Sequence, residues 1–256
     1  MWTTTVSRHR RTCKIRLPPL IEIPALDANA RLIDAIIRGR FSCRFYQDKA
    51  VPKKVIEELI EVGRFSPSGN NTQSWGKVYC IMGERLKAIR QDMVAAVVQD
   101  DAHKPQHNYY PSWTSLPDVY VKRRQESRRS ISTVLGVEGD NRDPGTRSAG
   151  RNHLFFGAPA VLVFTISSRL EKGSWIDLGH FMQAIIIAAR ARGLETCSHQ
   201  NSICQYHRVL RKHVAIPEDN IVVIVMSVGY PDLELTERFP VKLPRREVGD
   251  ILEFHL

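Results

Sequence analysis

Two periodicities alternate along the chain. Apolar positions recur at helical spacing from residue 28 to residue 39, and more strongly from Val51 to Arg64, where Val55/Ile56, Leu59/Ile60 and Gly63 follow Pro52. Gly63 and Pro67 then end that helix. Trp75–Met82 (WGKVYCIM) predicts a strand and Glu84–Val98 a further helix. Ala158–Ser167 (APAVLVFTIS) and Ile221–Val228 (IVVIVMSV) are apolar and β-branched without alternation, the pattern of strands buried on both faces. Trp175–Arg192 predicts a helix whose middle is apolar nearly all round, which requires burial in a core or against another subunit. Ile203–Val214 predicts an ordinary amphipathic helix, with Pro217 shortly behind it. Helices that outnumber apolar strands imply an α+β fold with a central sheet covered on both faces.

Between about residues 100 and 150 the periodicity gives way to Pro, Asp, Arg and Tyr, an irregular excursion holding one short helix around Val119–Val134. No repeat or linker divides the chain, so residues 25–256 read as one domain. At 256 residues and 43% hydrophobic content the chain is able to bury a sizeable core. Its longest apolar run, Phe181–Ala189, is far short of the roughly 20 residues that cross a bilayer. No membrane span is expected.

Charge changes the picture only at the start. The formal net charge is +10, and Arg8, Arg10, Arg11, Lys14 and Arg16 precede the first acid, Glu22. Residues 1–24 therefore read as a basic, disordered leader, with organelle targeting as the alternative and without the apolar stretch of a secretory signal. The remaining basic excess is not interleaved with aromatics, and no nucleic-acid partner is expected. Cys13, Cys43, Cys80, Cys197 and Cys204 are odd in number and lack CxxC spacing, which suits reduced thiols in a cytoplasmic protein. His103 and His107 have a metal-like spacing, but Pro105 breaks the helix that would align them, so no metal site is expected. GxGxxG, GxxxxGK[ST], GxSxG and HExxH are all absent.

What remains is polar chemistry at element ends. Arg38-Gly39-Arg40-Phe41-Ser42-Cys43-Arg44 reads either as a solvated basic turn or as an anion clamp, since guanidinium forks match phosphate oxygens and a hydroxyl adds a donor. Ser66-Pro67-Ser68-Gly69-Asn70-Asn71-Thr72-Gln73-Ser74-Trp75 reads either as a helix end with a polar turn or as amides and hydroxyls offered to the edge of a flat heteroaromatic ligand. Neither stretch decides between its readings alone.

In order and spacing, these clusters resemble the FMN-dependent nitroreductase family from about Arg31 to the C-terminus. Arg40-Phe41-Ser42-Cys43-Arg44 and Pro67-Ser68-Gly69-Asn70-Asn71-Thr72-Gln73-Ser74-Trp75 match two of its elements. Phe156-Gly157-Ala158-Pro159, Asp177-Leu178-Gly179 with Gln183, Gly193–Cys197, Gly229-Tyr230-Pro231-Asp232 and Lys242-Leu243-Pro244 match five more. The middle of the chain, with Tyr110-Pro111 and Arg123-Arg124, looks most like the nitrobenzoate-reductase-like branch. The resemblance implies a nitroreductase-like α+β fold, a central mixed sheet flanked by helices, and a homodimer with two FMN sites at the interface.

Position by position, it implies that Arg40, Ser42 and Arg44 bind the phosphate and ribityl side, and that Pro67, Ser68 and Asn71 reach the ring from the partner chain. His199, Gln200 and Asn201 would lie beside the reactive N5 edge, and Lys242 would contact phosphate. Phe41 stands where the family has a second basic residue, with Arg38 or Arg245 available to compensate. His199 stands where the nearest branch has Gln, and is the one candidate proton donor. The implied activity is ping-pong oxidoreduction, NADH or NADPH delivering hydride to FMN N5 and a nitroaromatic, quinone or similar flat acceptor taking it up. The alternatives are a same-fold enone reductase or flavin-dependent dehydrogenase, and a degenerate FMN-binding or interaction protein without turnover.

Overall fold

The computed structural model describes residues 26–99, 101–102, 106–107, 111, 115–135, 147–199, 201–241 and 243–256. The expected leader at residues 1–24 lies outside these, as do His103, Gln200 and the side chains of Asn201 and Lys242. In order, the elements are α1 Leu26–Gly39, α2 Lys53–Gly63, β1 Val78–Met82, α3 Gly83–Val98, α4 Asp118–Leu135, α5 Arg147–His153, β2 Ala160–Ser167, α6 Lys172–Arg190, β3 Glu195–His199, α7 Asn201–Cys204, α8 His207–His213, β4 Asn220–Gly229 and α9 Leu233–Arg238. The described residues fall into two units, divided between Arg38 and Gly39. In the first, α1 carries an Asp34–Arg38 ion pair at 3.5 Å.

The second unit is built on a four-stranded sheet of order β1-β2-β4-β3. Its named pairs are all antiparallel, and the parallel component of the expected mixed sheet is a single bridge, Ser42 to Thr196. β2 is the reason both faces are covered. Ala160, Leu162, Phe164 and Ile166 pack toward α2 and α6, while Val161 and Val163 pack toward α3, α7 and α8. Opposite parity on one strand is what a run without alternation requires.

On the first face, Ile56 and Leu59 of α2 meet Phe181 and Ile185 of α6. Gly63 sets that approach, because a Cβ there would sit 2.8 Å from Ile185 Cγ1. On the second face, Leu86, Ile89 and Met93 of α3 pack with Ile203, Cys204 and Leu210. At about 25 cal/mol per Å² of apolar surface, each fully buried side chain of this size contributes roughly 1.5–3 kcal/mol.

α6 is not enclosed all round in the protomer. Leu178, Phe181, Ile185, Ala188 and Ala189 are buried, but Ile176 is 61% exposed and Gly179, His180 and Gln183 face outward. The predicted helix at Ile203–Val214 is broken into α7 and α8 around Gln205-Tyr206. No described helix is long and apolar enough to cross a membrane.

Candidate functional site

The segment after Gly39 runs beside β3 and is pinned to it. Ser42 bridges Thr196, and the Cys43 N–H donates to the Thr196 carbonyl at 3.0 Å. Further on, Gln47 N donates to Tyr230 O at 2.9 Å. Phe41 N donates to Glu195 Oε2 at 3.4 Å, and the same carboxylate bonds the Arg190 guanidinium. Glu195 is only 2% exposed. Burial pushes its pKa up, while Arg190, the Phe41 N–H and the nearby Arg40 charge pull it down. A buried carboxylate thus fixes the backbone from which Arg40, Ser42 and Arg44 project.

That backbone forms one wall of a pocket of about 450 Å³. Arg40, Phe41, Ser42, Arg44 and Phe45 come from this segment, Ser127 and Ile131 from α4, Thr236 from α9, and Phe239, Leu243 and Arg245 from the chain beyond it. Three guanidinium groups and three hydroxyls line it, and no carboxylate does among the described residues. Arg44 Nη1 donates to Ser42 O at 3.0 Å and its Cζ lies 5.8 Å from the Phe156 ring centre. Arg245 Nη1 donates to Leu243 O at 3.1 Å. Arg38, the other candidate to compensate for Phe41, pairs with Asp34.

The pocket draws on residues that sequence reasoning passed over. Ser127, Ile131 and Val134 fall four and three apart on α4, an otherwise charged helix in the stretch taken as largely irregular. Ile131 and Val134 pack against the cluster of Phe45, Phe156 and Cys197. That spacing was the available signal, and the surrounding arginines masked it.

His199 is placed differently from its expected role. Its side chain is 2% exposed, with Nδ1 2.7 Å from Asn152 Oδ1 and Nε2 2.5 Å from Ser227 Oγ. The ring stacks on Phe156 at 5.2 Å and meets Phe155 edge-on at 5.7 Å. Burial lowers its pKa to about 3, helped by the charges of Arg44 and His153. With both ring nitrogens engaged inside the protein and the imidazole held neutral, the position supports packing rather than the proton donation expected for it.

The 66–75 stretch forms a short 3₁₀ turn at Gly69–Asn71, away from the pocket lining. Asp177 of α6 anchors it, accepting from Gly69 N at 3.1 Å and from Ser74 Oγ at 2.8 Å. Ser68 Oγ accepts from Gln73 N at 2.9 Å, and Trp75 stacks on Phe181 with ring centres 4.8 Å apart. Asn70, Asn71 and Gln73 have φ of 51°, 57° and 48°. Left-handed backbone costs a side-chain-bearing residue roughly 1–2 kcal/mol, least for Asn. Pro67 and the side chains of Asn71 and Gln73 are exposed, and neither amide makes a hydrogen bond among the described residues.

A profile of the Nitroreductase family matches residues 37–230. The chain belongs to the nitroreductase family. Nitrobenzene nitroreductase of Ectopseudomonas oleovorans is 34% identical over 223 residues, 87% of this chain and 96% of that protein. A 4-nitrobenzoate reductase of Nocardioides sp. (strain LMS-CY) is 30% identical over 84% of this chain and 85% of its own. Among solved structures, the FMN- and NADPH-dependent nitroreductase NfnB of Sphigopyxis sp. strain HMH superposes with a TM-score of 0.78 at 25% identity, covering 87% of this chain and 98% of its own. NfnB of Mycobacterium smegmatis, solved with NADPH, shares the fold at a TM-score of 0.80 and 22% identity, over 89% of this chain and 100% of its own. The matched range contains β1 to β4 and the 40–44 and 67–75 elements.

Proposed function

We propose that this nitroreductase-family chain binds FMN and works as an NAD(P)H oxidoreductase on nitroaromatic, quinone or similar flat acceptors. The observation that carries the proposal is the convergence of Arg40, Ser42 and Arg44 with Arg245 in one pocket that no acid lines among the described residues. A phosphate monoester is the chemistry this donor set fits. Guanidinium forks grip its oxygens in pairs, the hydroxyls add neutral donors, and each charge-assisted bond contributes about 1.5–3 kcal/mol. Phe41, Phe45, Ile131 and Phe239 line the same space with apolar surface suited to a ring system.

When bound, FMN would supply the two-electron chemistry that links NADH or NADPH to the acceptor, in the ping-pong order proposed for one shared site. The chain's part is position and charge. Arg40, Arg44 and Arg245 hold the phosphate side, with Lys242 a further phosphate contact, and Arg44 favours negative charge arriving in the pocket. The segment His199-Gln200-Asn201 contributes backbone rather than an acidic side chain. Pro67, Ser68 and Asn71 act from the partner subunit of a homodimer. Exposed Ile176 on α6 and the unpartnered amides at Asn71 and Gln73 support that arrangement.

The test is direct. Purified protein should take up FMN in a fluorescence-quenching titration, and NADH or NADPH should bleach the flavin band anaerobically. Arg44→Ala should weaken FMN binding by about tenfold to a hundredfold, the loss of one charge-assisted contact. Protein that takes up no FMN, or an Arg44→Ala variant with unchanged affinity, overturns the assignment.

A further inference from the structure

Between α5 and β2, Phe155 and Phe156 hold φ of 55° and 53° and Gly157 follows at 78°, three consecutive residues in the left-handed region. Glycine adopts that backbone readily, but two phenylalanines do so only where the surrounding structure imposes it. Here three groups do. Arg90 of α3 donates through Nε to Leu154 O at 3.1 Å and through Nη2 to Ala158 O, clasping both ends of the turn. Ser227 Oγ of β4 donates to Phe155 O at 3.1 Å. The bend sends the two rings to different clusters. Phe155, fully buried, joins the one built with α3, α7 and α8, while Phe156 joins Phe45 and Cys197.

We propose that Phe156 is a positioning residue for Arg44, and that Arg90 serves the same end by holding the strained turn. Phe156 is not among the residues lining the pocket of Arg40, Ser42 and Arg44, so it acts on that site only through another group. The Arg44 guanidinium lies over its ring with Cζ 5.8 Å from the centre, within the roughly 6 Å reach of a cation–π contact. The His199 imidazole stacks on the same ring at 5.2 Å and is itself fixed by Asn152 and Ser227, so the ring has little room to turn. Two further bonds complete the hold on Arg44. Arg151 Nη2 donates to its carbonyl at 2.8 Å, and its own Nη1 donates to Ser42 O at 3.0 Å. Its Nε and Nη2 form no hydrogen bond among the described residues and are the donors left for an anion. A long side chain loses rotamer freedom when it grips a ligand, and a guanidinium already held loses less. The role rests on the reading of that pocket as the FMN site, because its consequence is tighter FMN binding.

A double-mutant cycle on FMN affinity, read by flavin fluorescence quenching, tests it. Phe156→Leu should weaken FMN binding about threefold to tenfold in the unaltered protein, the range of one cation–π contact, and by less than about 1.5-fold in the Arg44→Ala background. A ring that merely fills the core would cost the same affinity with or without Arg44. Phe156→Tyr keeps the ring face and should stay within about twofold of the unaltered protein. Arg90→Met keeps the aliphatic bulk but releases both carbonyls, and should reproduce the Arg44-dependent loss. It carries the same test where a circular-dichroism melt shows Phe156→Leu unfolded. Equal losses in the two backgrounds, or a Tyr variant as weak as the Leu variant, would overturn the positioning role. FMN binding that falls on Arg44→Ala but is indifferent to Phe156→Leu would overturn this role alone. Unaltered protein that takes up no FMN would overturn the reading of the larger pocket and this role with it.

Discussion

The segment from Arg40 to Arg44 and the stretch from Ser66 to Trp75 differ most in who satisfies their backbone and side chains. The first is held inside the protomer, by the Ser42–Thr196 bridge and by a buried Glu195 that takes the Phe41 N–H. The second is anchored from one side only, through Asp177, and turns its amides outward on left-handed backbone. The first segment is complete within its own unit. The other is presented at the surface of a fold that does not itself use it. Strain held at exposed amides, next to a helix that leaves Ile176 exposed, is a reason to look for a second subunit.

Breaking the anchored element should give the largest effect. Glu195→Ala strands the Arg190 guanidinium and removes the acceptor of the Phe41 N–H, and breaking such a pair costs about 3–5 kcal/mol. Urea unfolding should show that loss, toward the lower end because Arg190 is 34% exposed. A loss under about 1 kcal/mol would mean that the Glu195 carboxylate does not hold the 40–44 segment, leaving only the backbone contacts to Thr196.

His199 sharpens the same side of the comparison. Its pKa is depressed to about 3 in the folded protein, so the unfolded chain takes up a proton near pH 6.5 that the folded chain refuses. The histidine's contribution is therefore fully present above pH 6.5 and declines as pH falls toward 3, by about 1.4 kcal/mol per pH unit. His199→Gln should flatten the stability–pH curve by that slope between pH 3 and 6.5. An identical slope in both proteins would show that the ring is not held neutral in the interior.

The smallest effect belongs to the presented stretch. Asn71→Ala should cost about 1 kcal/mol of unfolding free energy or less, because the exposed side chain has no partner but alanine tolerates the left-handed backbone at φ 57° less well than asparagine. The same variant should weaken FMN binding about twofold to tenfold, one neutral hydrogen bond's worth. Unchanged FMN affinity would return the stretch to a polar turn and remove it from the site.

Much of this was legible before any coordinates. β2 and β4 announced themselves because strands buried on both faces have no polar positions to blur the pattern. α2, α3 and α6 followed from helical period and from Pro52 and Gly193 at their ends. β3 does not show as a strand in the sequence, because Glu195-Thr196-Cys197-Ser198-His199 is polar, and Glu195 and His199 find their partners on other elements, at Arg190, Phe41 N, Asn152 and Ser227. α4 showed as a short helix, yet its place in the pocket did not, since Arg-rich surface hides the three residues that face inward.

The sequence by itself determined the strand and helix periods, the order of the polar clusters and the presence of three arginines able to meet an anion. Those are local or ordered properties, written in spacing. Tertiary structure alone decided that Arg245 meets Arg40 and Arg44 in one pocket, that Glu195 orders their backbone, and that His199 is sealed between Asn152 and Ser227. Contacts between residues 28 to 154 positions apart depend on how the sheet orders its strands, and burial, which sets the charge of a histidine or a carboxylate, is a property of the packed interior.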